Sequence, residues 1–335
     1  MIDFFNFDMF KQASLTDAVR RLPNQYNKIG SMGLFPSRGV RHRTVGIEEL
    51  NQAAKLLPTL PWGAPGTLGA TDKRGAYAFQ IPHIPHVDSV LPDDVQSVRE
   101  LGSEDQLKTA AGVVADKLAK MRLQIDLSLE YMRATALAGV CKDGAGATLY
   151  DYYSVFGITK KEVDFVLGTS TTDVRGKCLI VKRDIEKKAR GAVITGIGCL
   201  CSATFFDKFT KHAEVKDAFK YYQTTQPLSG DYRAGFTFAG ITFVEYDATV
   251  TLSDGSTTAD MIADGDAVFY PLGTPVGVTV FAPANYMETV NELGQEYYAK
   301  SEPRKFGKGV DIEVQSNPLP ILLRPDLVAR GYSSN

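Results

Sequence analysis

The residues with the clearest chemical potential are two glycines in residues 193–202, which run Val-Ile-Thr-Gly-Ile-Gly-Cys-Leu-Cys-Ser. A predicted strand leads into Gly196 and Gly198, and a predicted helix begins at Ser202. That order is typical of the turn that places a dinucleotide pyrophosphate at a helix N-terminus. Cys201 stands where a third glycine would let the helix pack closely on the strand. The pattern therefore favours an ordinary tight strand-to-helix turn, and an NAD(P)-dependent enzyme stays open as an alternative.

Cysteine and histidine side chains could bind a metal, but their spacing argues against a site. Cys199 and Cys201 are closer together than the usual zinc hook requires, and no second cysteine pair accompanies them. His83 and His86 are three residues apart in a predicted strand, a spacing that points the two rings to opposite faces. The sequence also lacks a Gly-x-Ser-x-Gly elbow, a phosphate-binding P-loop and a His-Glu-x-x-His helix. We therefore expect no catalytic site, no metal and no cofactor.

The bulk composition is that of an ordinary globular protein. Of the 335 residues, 44% are hydrophobic and 23% charged, with a formal net charge of −2. A protein that binds nucleic acid through a basic face usually carries a positive excess, which this chain lacks. No apolar run approaches the ~20 residues that span a bilayer, and the first residues have no signal-peptide pattern. We expect a protein of a cytosol, with reduced cysteines and no membrane partner.

The first ninety residues contain segments that would have difficulty forming a core of their own. Glycines and prolines interrupt residues 1–44, so this segment is predicted to be an arm that packs on a surface supplied elsewhere. Two strands, Thr44–Leu50 and Gly75–Ile84, are predicted to pair around a loop of roughly two dozen residues, a length typical of functional loops. Trp62 lies near the middle of that loop. It either packs on its own domain or anchors the loop on a neighbouring subunit.

One long helix is predicted over residues 103–138. Apolar side chains recur there at steps of three or four, which forms one continuous stripe. The stripe consists of Leu107, Ala111, Val114, Leu118, Met121, Ile125, Leu129, Met132 and Ala136. Leu118 and Ile125 are expected to face a sheet of the same subunit, and Gly139 is expected to end the helix. A two-helix hairpin with a break near Gly112 stays open as an alternative.

The remaining residues mix strands and helices. A hairpin-like strand pair is predicted around Thr148–Phe156, a helix over about 173–190, and a second helix from Ser202. Further strands follow towards the C-terminal end. The predicted fold class is therefore α+β, with a long helix that precedes an αβ domain.

The most distinctive motif lies near the C-terminal end. It is Gln315-Ser-Asn-Pro-Leu319, followed by Arg324-Pro-Asp326. This order resembles the end of the lambda-type major capsid proteins of tailed bacteriophages, the phage major capsid protein E family, and the segment Cys201–Asp207 is similar to that family as well. The resemblance implies the Hong Kong 97-type capsid fold. Its parts would be an N-terminal arm at 1–44, an extended loop hairpin at 45–90, a peripheral domain at 91–190 with the spine helix at 103–138, an axial domain at 191–265, and return strands at 266–335 that complete the two domains.

The resemblance also implies a function. The protein would assemble with copies of itself, as pentamers and hexamers, into the icosahedral head shell that encloses the phage genome. Its partners would be scaffold and portal proteins, with a decoration protein as a further candidate, and packaged DNA held without sequence specificity. It would be found in the virion after assembly in the host bacterial cytoplasm. A ring-forming tail or connector protein of the virion stays open as another alternative.

Contacts between subunits are expected from the arm and the loop, because these are the segments that lack a core of their own. The candidate contact residues are Phe4, Phe5, Phe7, Phe10, Arg38, Arg41, Trp62, Lys73 and Arg74.

Overall fold

The computed structural model describes residues 27–50, 74–95, 110–218 and 235–335, together with Thr16 and Val19. In chain order its helices are α1 (Lys28–Ser31), α2 (Pro92–Val95), α3 (Ala110–Leu137), α4 (Tyr152–Phe156), α5 (Val174–Ala189) and α6 (Ala203–Lys211). Residues 213–218 are helical as well. None of the helices in these ranges is long and apolar enough to cross a membrane.

The strands of the same residues fall into several small sheets and one larger one. In chain order they are β1 (Ser37–Gly39), β2 (Thr44–Leu50), β3 (Arg74–Gln80), β4 (Ile84–Val90), β5 (Val140–Lys142), β6 (Thr148–Asp151), β7 (Lys161–Asp164), β8 (Gly196–Cys201), β9 (Phe236–Phe238), β10 (Ile241–Glu245), β11 (Thr249–Thr251), β12 (Thr258–Asp260), β13 (Asp266–Leu272), β14 (Gly277–Phe281), β15 (Tyr298–Pro303), β16 (Val310–Ser316), β17 (Pro318–Leu322) and β18 (Ala329–Tyr332). The predicted mixture of helices and strands is confirmed.

Strands β2 and β3 form an antiparallel hairpin. Thr44 lies opposite Gln80 at its base, and Leu50 lies opposite Arg74 at the last described pair. The predicted pair of strands is thus confirmed, but the returning strand ends at Gln80 rather than at Ile84. Pro82 follows closely and has no N–H to donate to a strand ladder. The chain then starts β4, which belongs to a different sheet.

Helix α3 is continuous from Ala110 to Leu137, so the alternative with a break near Gly112 is wrong. Residues 103–109 of the predicted helix lie outside the described part of the chain. The helix ends as predicted at Gly139, whose φ of 101° is a conformation that glycine adopts at little cost. Every member of the predicted apolar stripe from Val114 to Ala136 is buried.

The N-terminal part of α3 packs on the antiparallel sheet β15–β16–β4. Leu118 and Ile125 are 3% and 1% exposed, and they share a core cluster with Ile312 and Val314 of β16. The prediction that these two side chains face a sheet of the same subunit is therefore confirmed. From Tyr131 onward the helix joins a larger core, to which β14 and β17 contribute.

The largest sheet has six strands in the order β7–β18–β13–β8–β10–β9. Helices α5 and α6 pack on it, and phenylalanines dominate the core between them. Phe209 of α6, for example, stacks on Phe243 of β10 with ring centroids 4.2 Å apart. Within the described residues, the sheet draws β8, β9 and β10 from 191–265, while β7, β13 and β18 come from outside that range.

The strand pair predicted around Thr148–Phe156 is only half correct. Strand β6 pairs with β5 but ends at Asp151, and α4 occupies the residues that follow. The Asp151 carboxylate accepts hydrogen bonds from the backbone N–H groups of Tyr153 and Ser154, which caps the helix. Gly157, at φ 62°, ends it. The local cap therefore outweighs the strand preference of the aromatic residues.

Candidate intersubunit surface

The described part of the N-terminal arm lies on its own subunit. Strand β1 runs parallel to β14, with Ser37 opposite Thr279, and the Val40 N–H donates to the Phe281 carbonyl over 2.9 Å. Phe35, 2% exposed, anchors the arm in the core. A surface of the same chain therefore supplies the packing that this segment needs.

Four polar side chains on α3 hold the arm in place. This polar stripe consists of Arg122, Asp126, Glu130 and Arg133, each at most 7% exposed. Arg122 donates to the Val19 carbonyl, and Arg133 Nη1 donates to Asn27 Oδ1 over 2.8 Å. Buried charges require partners, and these arm residues provide them. The sequence analysis considered only the apolar stripe and missed the polar one, whose signal was the spacing of four, four and three residues.

Arg122 and Asp126 of the polar stripe also contact Tyr297, the residue before β15. Burial raises the pKa of the Asp126 carboxyl, while hydrogen bonds from the Tyr297 hydroxyl and the Arg122 guanidinium oppose that shift. The Arg122 guanidinium also lies 4.5 Å from the centre of the Tyr297 ring. Thr16 of the arm exchanges hydrogen bonds with the backbone of Ala299 in β15. Helix, sheet and arm are thus connected through one buried network.

Glu130 connects the arm to the six-stranded sheet. Its Oε1 accepts hydrogen bonds from the Ile29 N–H over 2.6 Å and from the Tyr246 hydroxyl over 3.2 Å, whereas Oε2 is buried without a partner in the described part of the chain. We expect Glu130→Ala to lower the free energy of unfolding by about 1–3 kcal/mol, because the buried Ile29 N–H and the half-buried Tyr246 hydroxyl lose their acceptor. Glu130→Gln keeps an amide oxygen and should cost little. Denaturant unfolding of dispersed subunits would measure both, and equal costs would contradict this role.

The motif Gln315-Ser-Asn-Pro-Leu319 forms a buried corner where β16 passes into β17. Its polar side chains hold the segment between β14 and β15: Asn317 Nδ2 donates to the Pro283 carbonyl over 2.8 Å, and Ser316 Oγ donates to the Glu296 carbonyl over 2.6 Å. The Gln315 side chain accepts from the Asn285 N–H over 3.2 Å. These contacts give the motif a structural role, because they fix the relative position of two sheets.

The glycines of the possible dinucleotide turn lie inside a strand. Gly196 and Gly198 belong to β8, and a Cβ atom on Gly198 would come within 2.6 Å of the Tyr270 ring. Helix α6 begins only at Ala203, where the Ser202 side chain accepts from the Phe205 N–H. The predicted tight strand-to-helix connection exists, with the helix capped at Ser202 as expected. Its placement at the glycines is wrong, because Gly196 and Gly198 extend a buried strand between β13 and β10.

The cysteines and histidines form no metal centre within the ranges that the structure describes. All four cysteines are free and buried, and burial raises the pKa of the Cys199 thiol well above its ordinary value. His83 is exposed, and its Nδ1 lies 2.7 Å from Asn317 Oδ1 at the edge of the buried corner. The cysteines are therefore parts of the packed core.

The structure describes three of the nine predicted contact residues. Arg38 and Arg41 are exposed and lie on and just after β1, and Arg74 begins β3. The others lie outside the described residues: Phe4, Phe5, Phe7, Phe10, Trp62 and Lys73. The contacts of all nine residues between subunits therefore stay predictions.

Comparisons with known proteins agree on one family. Residues 11–333 match the family Phage major capsid protein E. The chain is 30% identical to the major capsid protein of Pseudomonas phage KPP10 over 97% of both chains, and 29% identical to that of Salmonella phage Felix O1 over 95% of both. Among solved structures, the putative capsid protein of a prophage of E. coli CFT073 superposes with a TM-score of 0.57 at 10% identity, covering 96% of this chain and 99% of that one. The chain therefore belongs to the phage major capsid protein E family, and it is a shell-forming protein of the virion with the Hong Kong 97-type fold.

Proposed function

We propose that this chain assembles through pentamers and hexamers into an icosahedral head shell around the phage genome. The observation that carries the proposal, beside the family, is the β2–β3 hairpin. It is a two-stranded sheet whose outer edges are unpaired in the described residues, and such a hairpin is only marginally stable without a further surface. Phe79 and Tyr77 anchor its base on Phe156 and Tyr150. The loop of residues 51–73 would then lie on the adjacent subunit, with Trp62 as its anchor.

The limits of the domains are part of this proposal. Helix α3 and the sheet β15–β16–β4 would form the peripheral domain, together with the segments that pack on them. The six-stranded sheet with α5 and α6 would form the axial domain, so that this domain begins before residue 191 and is completed by β13 and β18. Two core clusters support this division, one between the N-terminal part of α3 and the sheet β15–β16–β4 and a larger one around the six-stranded sheet. The hairpin that starts at residue 45 would remain the element exchanged with neighbours, whereas the described part of the arm at 1–44 packs on its own subunit.

The proposed partners are those that a phage head shell needs for its assembly and for DNA packaging. Scaffold and portal proteins would guide assembly in the host bacterial cytoplasm, and a decoration protein would bind the outer surface where one is present. Packaged DNA would touch the inner surface without sequence specificity, which agrees with a net charge of −2 over 335 residues. No catalytic role is proposed for any residue.

Electron microscopy of the overexpressed protein, alone and with its scaffold, would test the proposal. We expect closed shells, or free pentamers and hexamers. A homogeneous monomer or dimer at high concentration, with scaffold supplied, would contradict the proposal. Open rings or tubes would instead indicate a tail or connector protein.

A further inference from the structure

Two exposed apolar surfaces flank strand β15. The first is a knob at residues 304–309, between β15 and β16, with Phe306 at its tip and 93% exposed. The second is a patch before β15 made of Met287, Val290 and Leu293, which are 87%, 58% and 58% exposed. Such exposure of a phenylalanine and a methionine leaves apolar area in water that a partner could cover.

The knob is a turn that backbone hydrogen bonds close. Phe306 has a φ of 64°, a conformation that residues other than glycine rarely adopt. The Arg304 N–H donates to the Gly309 carbonyl over 2.9 Å, and the Gly307 N–H donates to the Arg304 carbonyl over 3.2 Å. The Arg304 side chain also donates to Asp311 over 2.7 Å. The ring is therefore held out towards solvent by a closed turn.

The patch is fixed at both ends by the buried corner. Asn317 and Gln315 hold the chain at Pro283 and Asn285, and Ser316 holds it at Glu296. Between these points Met287 and Val290 are three residues apart across a 3₁₀ turn, a spacing that places side chains on one side. The patch therefore presents its apolar side chains from a defined backbone.

Within one subunit the knob does not sit on the patch, because Phe306 stays 93% exposed. Glu288 of the patch segment pairs with Lys300 in the middle of β15, whereas the knob lies beyond the end of that strand at Pro303. A knob and a patch that do not meet on one chain can meet between copies, in a head-to-tail contact.

The charges around the two surfaces are opposite. Lys305 and Lys308 lie within the knob on either side of Phe306, whereas Glu288 and Glu292 lie within the patch segment. Glu288 already pairs with Lys300 over 2.7 Å. In the described ranges, Lys305, Lys308 and Glu292 have no ion-pair partner within their own subunit. Opposite charges at the rims of two surfaces favour their approach and fix their register.

We propose that Phe306 of one copy of this chain inserts between Met287, Val290 and Leu293 of a second copy, with Lys305 and Lys308 facing Glu292. The inference rests on the proposed shell, because it names one contact that joins its subunits. A buried phenylalanine covers roughly 150–250 Å², so this contact acts together with others and serves as an aromatic anchor.

Cysteine cross-linking tests the contact directly. The variant Phe306→Cys with Val290→Cys carries two exposed thiols, and the native cysteines do not compete because all are buried. Assembled shells under mild oxidation should give a ladder of covalent multimers, whereas dispersed subunits should stay monomeric. The matched control is Phe306→Cys with Val193→Cys, since Val193 is 75% exposed and lies outside the patch. Intact shells without a ladder, or an equal ladder in the control, would overturn the inference.

Charge reversal provides a second test that does not depend on thiols. Lys305→Glu with Lys308→Glu should raise the subunit concentration needed for assembly about tenfold or more, and mixing with Glu292→Lys subunits should restore much of the loss. Assembly at the normal concentration by the reversed variant would contradict the contact. If the wild-type chain forms no shells with scaffold supplied, the proposed function fails, and that result is distinct from shells that form but do not cross-link.

Discussion

Replacing Leu118 with aspartate is expected to lower the free energy of unfolding of the isolated subunit by roughly 3–5 kcal/mol. Leu118 is 3% exposed and packs in the cluster between α3 and the sheet β15–β16–β4. The substitution removes apolar packing and also buries a carboxylate that has no partner there. The loss should appear before any assembly step, because the contacts lie within one chain. Chemical unfolding of dispersed subunits, followed by circular dichroism, measures it.

A matched control lies one turn earlier on the same helix. Ala115 is exposed, so Ala115→Asp introduces the same side chain where water can solvate it. This variant should unfold within about 1 kcal/mol of wild type. Leu118→Ala separates the two causes, because it creates a cavity without a charge and should cost about 2–5 kcal/mol. Equal unfolding midpoints for the aspartate variants at 115 and 118 would show that α3 does not bury this face.

The local patterns of the sequence predicted the elements that depend on short-range order. The spacing of apolar residues identified α3 and the face that it buries, and the length of the segment after Leu50 identified a hairpin with a long connection. The same approach failed where one polar side chain decided the outcome. Asp151 caps α4 and ends a strand early. The spacing of apolar residues cannot predict this effect, because it depends on a polar side chain that binds the backbone.

Long-range pairing could not be predicted from such patterns. Gly198 was predicted to form part of a turn. A glycine is needed there because the Tyr270 ring on the neighbouring strand leaves no room for a Cβ atom, and the local sequence does not show that contact. The polar stripe was missed because its partners, Val19, Asn27 and Ile29, lie about a hundred residues away. Strands from three separate parts of the chain also meet in the six-stranded sheet. A pattern in one segment cannot specify partners of this kind.

The candidate contacts illustrate the same limit. Aromatic residues in the arm and loop suggested contacts because those segments cannot form a core, which is an argument from local composition. Phe306 was overlooked because a single phenylalanine between lysines resembles an ordinary surface turn. Its significance comes from its exposure and from the patch beyond β15, and both are properties of the folded chain.

Deleting residues 55–72 is expected to leave a folded subunit that cannot form stable shells. Leu50 and Arg74 lie opposite each other at the end of the hairpin. Residues 51–54 and 73 would then join them as a five-residue loop, a length that hairpins accept. Because the loop is proposed to lie on a neighbour, the free energy of unfolding of the dispersed subunit should stay near that of wild type. Calorimetry of subunits and electron microscopy of assembly mixtures measure the two effects separately.

A second variant separates loop length from loop sequence. Replacing residues 55–72 with a glycine-serine linker of equal length keeps the reach but removes Pro58, Pro61 and Pro65, which reduce the entropy lost when the loop docks. It also removes Trp62. We expect this variant to fail in assembly as the deletion does. Wild-type shell yields from either variant would exclude a role of the loop in joining subunits.

Trp62 provides the direct measurement, because it is the only tryptophan of the chain. If the loop docks on a neighbour, the indole should be open to an added quencher in the free subunit and protected in the shell. Trp62→Ala should weaken assembly by about 1–3 kcal/mol per contact, as expected for an aromatic anchor in a desolvated pocket. Trp62→Phe keeps much of the apolar area and should lose less. Equal quenching of Trp62 in subunits and shells would rule out docking, since burial between subunits is the only change that the proposal places at this residue.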